Sequence, residues 1–378
     1  MPFDWVDLDV RPEASTTITA LNGGKRSIPT LVFADGSFLI APSNDVLADK
    51  LALNRTAMRE VYDLIIVGGG PTGLTTAIYG ARENLQVLVL DKSGLGGQAG
   101  VTEKFDNYPG FPDGIGGAEL ADRFVEQARR YGVELLSAVD VLGVERDADE
   151  VIVRTATGDD YRAGAVLIAT GSTYRRLGVP GEDELIGAGI HFCATCDGPF
   201  YRGVDEVLVI GGGNSGLEEG LFLTQFATKV TVVEYHDMLA GSRLLQERVL
   251  DSPQMEVLTG TQVREFHADG TGKLAGISLE NRATGEVTRR DVPGAFVFVG
   301  LDPNAGFLGG AVETDARGFI VTDRNLETTL PGVFAAGDVR AGSTKQLASA
   351  VGEGAAVAIQ IRHHLDDRAR AAEGLVTA

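Results

Sequence analysis

One pattern occurs twice in this chain, and it restricts the fold more than anything else. Tyr62-Asp-Leu-Ile-Ile-Val67 runs into Gly68-Gly69-Gly70-Pro71-Thr72-Gly73, an Ala-rich helical stretch to about Asn84, and a second apolar run, Gln86 to Leu90, that stops at Asp91. Glu206-Val-Leu-Val-Ile210 leads in the same way into Gly211-Gly212-Gly213-Asn214-Ser215-Gly216, a helical stretch, Lys229-Val-Thr-Val-Val233 and then Glu234. A short β-branched run with turn residues at both ends reads as a buried parallel strand. A G-x-G-x-x-G by itself is weak, but one that follows a strand, opens a helix and has an acid about 20 residues on has a physical rationale. Gly68 and Gly211 make the tight turn, Gly70 and Gly213 let the backbone approach a pyrophosphate, and Gly73 and Gly216 allow close helix–strand packing. The helix N-terminus offers free N–H groups and the positive end of its dipole to the phosphates, and Asp91 or Glu234 can accept hydrogen bonds from a ribose. Asn214 and Ser215 open the second helix beside that site. Two units of this kind imply two bound dinucleotides.

The rest of the chain fits around them. Ala165-Val-Leu-Ile-Ala-Thr-Gly171 reads as another buried strand ending in a turn, and Gly332-Val-Phe-Ala-Ala-Gly-Asp338 is followed by a long Ala/Gly-rich helix. That last stretch reads as a return of the chain to the first domain. The expected fold is α/β, with two Rossmann-like dinucleotide-binding domains, the second inserted in the first. The first would comprise residues 58–172 and 304–368, and the second residues 173–303. Residues 1–57 read differently. Residues 3–9 alternate like a half-buried strand, Pro12 opens a short helix, Leu31-Val-Phe and Phe38-Leu-Ile flank a hairpin turn, and Ser43 begins an amphipathic helix.

Only two cysteines occur, together as Cys193-Ala-Thr-Cys196. A disulfide-stapled secreted protein would spread more of them along the chain. A zinc site needs four ligands, and neither a second Cys-x-x-C nor a His pair completes one, so no metal is expected and His191 reads as a packed or hydrogen-bonded residue. A redox dithiol is the better reading. The 33 Lys and Arg against 53 Asp and Glu give a net charge of −20, which opposes binding to nucleic acid or anionic lipid. No apolar run approaches the ~20 residues of a membrane span. The N-terminal stretch lacks the basic region and apolar core of a signal peptide, so a cytoplasmic protein is expected.

Gly68-Gly-Gly-Pro-Thr-Gly, Gly96-Gly97-Gln98, Asp106-Asn107-Tyr108-Pro109-Gly110, Ala169-Thr170-Gly171, Cys193-Ala-Thr-Cys196-Asp197-Gly198 and Gly337-Asp338-Val339 occur in this order. As an ordered set they are highly specific, and over residues 60–365 the chain resembles the low-molecular-weight thioredoxin reductases, FAD-dependent pyridine nucleotide–disulfide oxidoreductases. The resemblance implies that Gly97, Gln98 and Asn107 lie along a flavin, that Asp338 bonds its ribityl chain, and that Gln346 contacts its ring or tail. It implies that Cys196 faces the flavin, that Cys193 attacks the partner disulfide, and that Asp197 is the acid. The other reading of Asp197 is a helix cap before Gly198-Pro199. Members of the family are homodimers whose nucleotide domain swings, and the implied acceptor is a thioredoxin- or glutaredoxin-like protein. Flavin chemistry links a two-electron donor to thiols, and exchange requires an activated, accessible thiolate.

The second acid sets this chain apart. NADPH-dependent members carry His-Arg-Arg and a further Arg after the strand, whereas these positions are Glu234-Tyr235-His236 and Ala240. A carboxylate suits the free hydroxyls of NADH and repels a 2′-phosphate, so NADH is expected and NADPH less so, with Arg243 the nearest competing cation. In this the chain resembles the NADH-using alkyl hydroperoxide reductase flavoproteins, which carry thioredoxin-like N-terminal domains. Gln98-Ala-Gly100 and the run Lys345 to Gly354 resemble a subgroup fused to N-terminal modules. Residues 1–57 resemble part of a glutaredoxin or thioredoxin fold, with Pro29 where that fold places its cis-proline, but without its first strand, active-site helix or Cys-x-x-C. A scaffold role is expected of them. An NADH oxidase, a ferredoxin-type flavoprotein reductase and a non-catalytic redox sensor are the alternative functions.

Overall fold

The computed structural model describes residues 4–372 apart from residues 5, 7, 9, 10, 12, 26, 28, 103 and 106. The strand read in residues 3–9 falls for the most part outside the described residues, as do Pro12 and Asp106. Contacts divide the chain into two units, one of residues 42–173 and 302–378, the other of residues 1–41 and 174–301.

The first of these is built on one sheet in the order Glu134–Ser137, Val87–Asp91, Val61–Val67, Asp160–Ile168, Glu150–Thr155, Val141–Asp147, with Val333–Ala335 also paired to Asp160–Ile168. The strands from Glu134–Ser137 to Asp160–Ile168, and Val333–Ala335, are parallel, and Leu64–Val67 face Val87–Leu90. Alternate side chains leave a strand on opposite faces. Leu64 and Ile66 pack on Leu74 and Ala77 of the helix Pro71–Arg82 and on Val357 and Ile361 of the helix Leu347–Ala372. Ile65 and Val67 go the other way, onto Val144, Val153 and Ile320. Fully burying each such side chain contributes about 1.5–3 kcal/mol, which is why the apolar runs carry no polar alternation. The helix Leu347–Ala372 is drawn tightly onto the helix Pro71–Arg82. Thr72 Oγ1 donates to the carbonyl of Ala350 at 3.0 Å and Thr76 Oγ1 to that of Gly354 at 2.9 Å. Residues 42–58 lie along this unit, with Asn44 Nδ2 donating to the Lys92 carbonyl at 3.2 Å and the Ala57 N–H to Tyr161 Oη at 3.0 Å.

The second unit holds an all-parallel sheet in the order Ile190–His191, Ala295–Val297, Glu206–Ile210, Lys229–Val233, Met255–Leu258. A separate antiparallel sheet of Thr261–Ala268, Leu274–Asn281 and Val287–Arg290 follows it. Leu208 and Ile210 pack towards Val263 and Ile277, and Val207 and Val209 towards Leu217 and Leu223 of the helix Asn214–Leu223. At the sheet's lower rim Lys229 pairs with Glu256 at 2.6 Å, and Arg290 with Glu206 at 3.2 Å and Glu256 at 3.1 Å. Residues 14–40 contribute the helix Ala14–Leu21 and an antiparallel hairpin of Thr30–Val32 and Phe38–Ile40. Its turn is set by Asp35, whose Oδ1 accepts the Ser37 N–H at 2.9 Å. The helix Asn44–Lys50 completes the order helix, strand, strand, helix read in this segment.

Candidate active site

Both glycine turns have the same geometry. Gly68 lies at φ +112° and Gly211 at φ +114°, where a side chain is strained. A Cβ on either would stand 2.4 Å from a carbonyl oxygen of the neighbouring crossing segment, Ala169 in one and Phe298 in the other. A Cβ on Gly73 would lie 2.0 Å from the Gly68 oxygen, and one on Gly216 would lie 1.8 Å from that of Gly211. Each third glycine therefore lets a helix start directly on its strand. Gly70 and Gly213 are extended residues preceding the helices, with φ, ψ of −79°, −175° and −80°, −179°. No heavy atom lies within 4 Å of a Cβ built on Gly213, and only the Gly97 Cα, at 4.0 Å, approaches one on Gly70. In both units the backbone at the second glycine is therefore open to a close neighbour at the helix N-terminus, as a pyrophosphate requires.

The residues assigned to the flavin gather around the first turn. Asp91 Oδ2 accepts the Gly69 N–H at 2.7 Å, Asp91 Oδ1 accepts the Ser93 N–H at 2.7 Å, and the Gly96 N–H reaches the Gly69 carbonyl at 2.7 Å. Gly97 and Gln98 are exposed on the short helix Gly97–Val101. Asn107 Nδ2 donates to Gln346 Oε1 at 3.2 Å, joining two exposed side chains 239 residues apart. Asp338 is half-buried, its Oδ1 accepts a 3.3 Å contact from Ser343 Oγ, and desolvation raises its pKa. Lys345 bends back onto the carbonyls of Asp338 and Arg340 and over the Phe319 ring, and burial lowers its pKa. An open glycine cradle and a half-buried carboxylate fit the diphosphate and polyol of FAD.

Around the second turn, Glu234 is 5% exposed. Its Oε2 accepts the Gly212 N–H at 2.6 Å and its Oε1 the His236 N–H at 2.8 Å. Asn214 Oδ1 accepts the Ser242 N–H at 2.7 Å, and Ser215 is exposed one residue on. Arg243, the cation weighed against Glu234 in the sequence, is 92% exposed and bonds Glu247 at 2.8 Å. Sequence reasoning missed Arg282, whose guanidinium lies 3.8 Å from the centroid of the Tyr235 ring and donates to the Tyr235 carbonyl at 3.0 Å. No motif marks a contact across 47 residues.

Cys193 is half-buried and disulfide-bonded, and the chain has one other cysteine, Cys196. Asp197 ends the helix Ala194–Asp197 and precedes the 3₁₀ turn Gly198–Tyr201 without a side-chain capping bond. Its Oδ2 instead stands 3.4 Å from His191 Nδ1. His191 Nε2 lies 2.7 Å from Tyr201 Oη. His191, read as packed or hydrogen-bonded, is both, and it joins this cluster. Among the described residues no group of three His, Cys, Asp or Glu could hold a metal, and no helix is long and apolar enough to cross a membrane.

Two dinucleotide cradles and a disulfide on one chain define a flavin-linked, nicotinamide-dependent disulfide reductase. The comparisons agree. Residues 62–354 match the family described as pyridine nucleotide-disulphide oxidoreductase. The chain is 39% identical over 308 residues to a thioredoxin reductase of Bacillus subtilis, covering 82% of this chain and 96% of that one. It is 40% identical over 315 residues to a bifunctional thioredoxin reductase/thioredoxin of Mycobacterium leprae, covering 83% of this chain and 68% of the relative. The crystal structure of a thioredoxin reductase from Streptococcus pyogenes superposes with a TM-score of 0.73 at 39% identity, over 82% of this chain and 99% of that one. The chain belongs to the pyridine nucleotide-disulphide oxidoreductases, in the low-molecular-weight thioredoxin reductase group. It is an oxidoreductase, and FAD and a pyridine nucleotide are its cofactors.

Proposed function

We propose that this enzyme takes electrons from NADH, passes them through FAD to the Cys193–Cys196 pair, and reduces a thioredoxin- or glutaredoxin-like protein disulfide. Support for the acceptor comes from the relatives, which are named for thioredoxin, one of them fused to it. The resemblance extends to a homodimer, and a dithiol that must be re-reduced at each turnover suits the reducing cytoplasm.

Bound FAD supplies a two-electron relay between a hydride donor and a disulfide. The chain's own residues do the rest. The Gly68 turn and the N–H groups opening the helix Pro71–Arg82 bind the FAD pyrophosphate, Asp91 the adenosine ribose, and Asp338 the ribityl chain. Gly97, Gln98, Asn107 and Gln346 orient the ring end. Gly211, Gly213, Asn214, Ser215 and Gly216 form the corresponding cradle for the nicotinamide dinucleotide, with Glu234 at its ribose. Cys193 attacks the acceptor disulfide, Cys196 resolves the mixed disulfide, and Asp197 supplies the proton to the departing sulfur.

The observation that carries this reading is the pairing of the two matched cradles, each closed by an acid on its own loop N–H, with a disulfide flanked by Asp197. The test is anaerobic reduction of the FAD-loaded enzyme by NADH and by NADPH, followed by oxidised thioredoxin, for the native chain and Cys196→Ser. Thioredoxin reduction by the native chain and its loss in a variant that still binds FAD are expected. Normal thioredoxin turnover by Cys196→Ser would exclude the dithiol as the electron carrier.

A further inference from the structure

His191 is the last residue of the edge strand Ile190–His191, paired to Phe296 of the next strand, and it stands two residues before Cys193. Its side chain is 11% exposed. The ring lies between Phe296, centroid to centroid 5.3 Å, and the edge of Tyr201 at 5.4 Å. Its two nitrogens have different partners, Asp197 Oδ2 on the Nδ1 side at 3.4 Å and Tyr201 Oη on the Nε2 side at 2.7 Å. Tyr201 Oη also lies 3.4 Å from the Pro293 carbonyl.

These contacts settle how the protons are arranged. An ionised carboxylate only accepts, so the nitrogen facing Asp197 carries hydrogen. In the neutral ring Nε2 is then an acceptor, and the Tyr201 hydroxyl donates to it. Tyr201 keeps its proton, because burial and then the nearby charge of Asp197 raise its pKa. If His191 becomes charged, Nε2 donates to Tyr201 Oη, and the hydroxyl turns to the Pro293 carbonyl. In both charge states Nε2 keeps its hydrogen bond to Tyr201, and Nδ1 faces the Asp197 carboxylate at ion-pair distance. The charged and titratable groups about the ring are Asp197 on the helix Ala194–Asp197 and Tyr201 on the following turn, while Phe296 closes the strand side. The nearest carboxylate on the helix Asn214–Leu223 is Glu219, which bonds the backbone of Ala194 and Thr195 rather than the ring.

We propose that His191, held by Tyr201, is a positioning residue for Asp197 that fixes the carboxylate of the acid next in sequence to Cys196 and keeps its proton exchanging with the ring. This rests on the reading of Asp197 as the acid. In the step concerned the Cys193 thiolate forms a bond to one sulfur of the acceptor disulfide. The other sulfur leaves with the bonding electron pair and takes a proton that passes from charged His191 through Asp197, which leaves the ring neutral and the carboxylate ionised as before. No oxidant or reductant beyond the dithiol and the acceptor is needed.

The test uses the FAD-loaded enzyme and oxidised thioredoxin across a pH series, with flavin reduction by NADH followed separately. Asp197→Asn identifies the pH limb that belongs to the acid. In His191→Phe, thioredoxin turnover falls about tenfold and that limb shifts, while flavin reduction stays within about twofold. His191→Asn, which keeps a donor near Nδ1, restores part of both. Tyr201→Phe retains the ring and moves the limb in the same direction by less, and serves if His191→Phe does not fold. An unmoved limb with undiminished thioredoxin turnover in His191→Phe, or an unmoved limb in Tyr201→Phe, overturns the proposal. If Asp197→Asn itself turns over thioredoxin normally, the assignment of the acid fails first.

Discussion

The proposed preference for NADH rests on Glu234, and the contacts of that side chain decide how it is best tested. Exchanging Glu234 for Arg, the obvious way to build a phosphate site, would do more than change charge. Glu234 is 5% exposed and accepts two backbone N–H groups, those of Gly212 and His236. Arginine accepts nothing, so both donors would be left unpaired at about 1–3 kcal/mol each. The turn that holds the pyrophosphate would loosen, and weak binding of either nucleotide would say little about specificity. Glu234→Gln is the cleaner perturbation. Its amide oxygen keeps the Gly212 bond and the side chain has nearly the same shape, so besides the charge only the acceptor for the His236 N–H is lost. A unit negative charge on a 2′-phosphate about 5 Å from a carboxylate meets about 3 kcal/mol of repulsion at an effective dielectric of about 20. That corresponds to roughly 10²-fold in affinity. The native enzyme is therefore expected to bind NADH about 10²-fold more tightly than NADPH, and Glu234→Gln to recover most of that factor for NADPH while changing NADH little. Stopped-flow flavin reduction over a nucleotide concentration series measures both constants. Equal affinity for the two nucleotides in the native enzyme would refute the reasoning, and would move attention to Arg282, held over Tyr235 next in sequence to Glu234.

Two further outcomes follow from the cradles. Gly216→Ala sets a Cβ 1.8 Å from the Gly211 oxygen, so the helix must shift off its strand. A loss of about 1–3 kcal/mol from that unit and of nucleotide binding is expected, with FAD retained, as read by nucleotide titration and flavin fluorescence. Unchanged nucleotide affinity would show the contact is slack. Asp338→Asn tests a half-buried charge whose folded pKa is raised above its ordinary value by desolvation. Stability from such a group is complete below its unfolded pKa of about 3.9 and is lost as pH rises through the folded value. FAD-stripped Asp338→Asn is thus expected to melt higher than the native chain at neutral pH, with the gain vanishing in acid, while FAD binds more weakly. A lower melting temperature at neutral pH would contradict the buried-charge account.

The strand–glycine–helix units were legible because their physics is local. A β-branched run, a turn that excludes side chains and a helix opening at once leave few alternatives, and Gly68, Gly73, Gly211 and Gly216 do what their spacing implies. The return of the chain was legible too, since Val333–Ala335 pairs with Val166–Ile168 as an apolar run before a long helix should. Residues 1–57 were less so. They read as one segment, yet their contacts divide at residue 41, with residues 42–57 held by Lys92 and Tyr161 of the larger unit. Short, half-exposed elements carry too weak a periodicity to say where they pack.

From its sequence alone this protein was determined to be an α/β chain with two dinucleotide sites and one redox-type cysteine pair, because each follows from residues adjacent in the chain. Only the tertiary structure decided what each acid touches. Asp91 and Glu234 close onto their own loop N–H groups, Asn107 meets Gln346 across 239 residues, and Asp197 passes over its capping position to face His191. Backbone turns are set by sterics within a few residues. The partner of a carboxylate is set by which strands and helices burial brings beside it, and no spacing in the sequence encodes that.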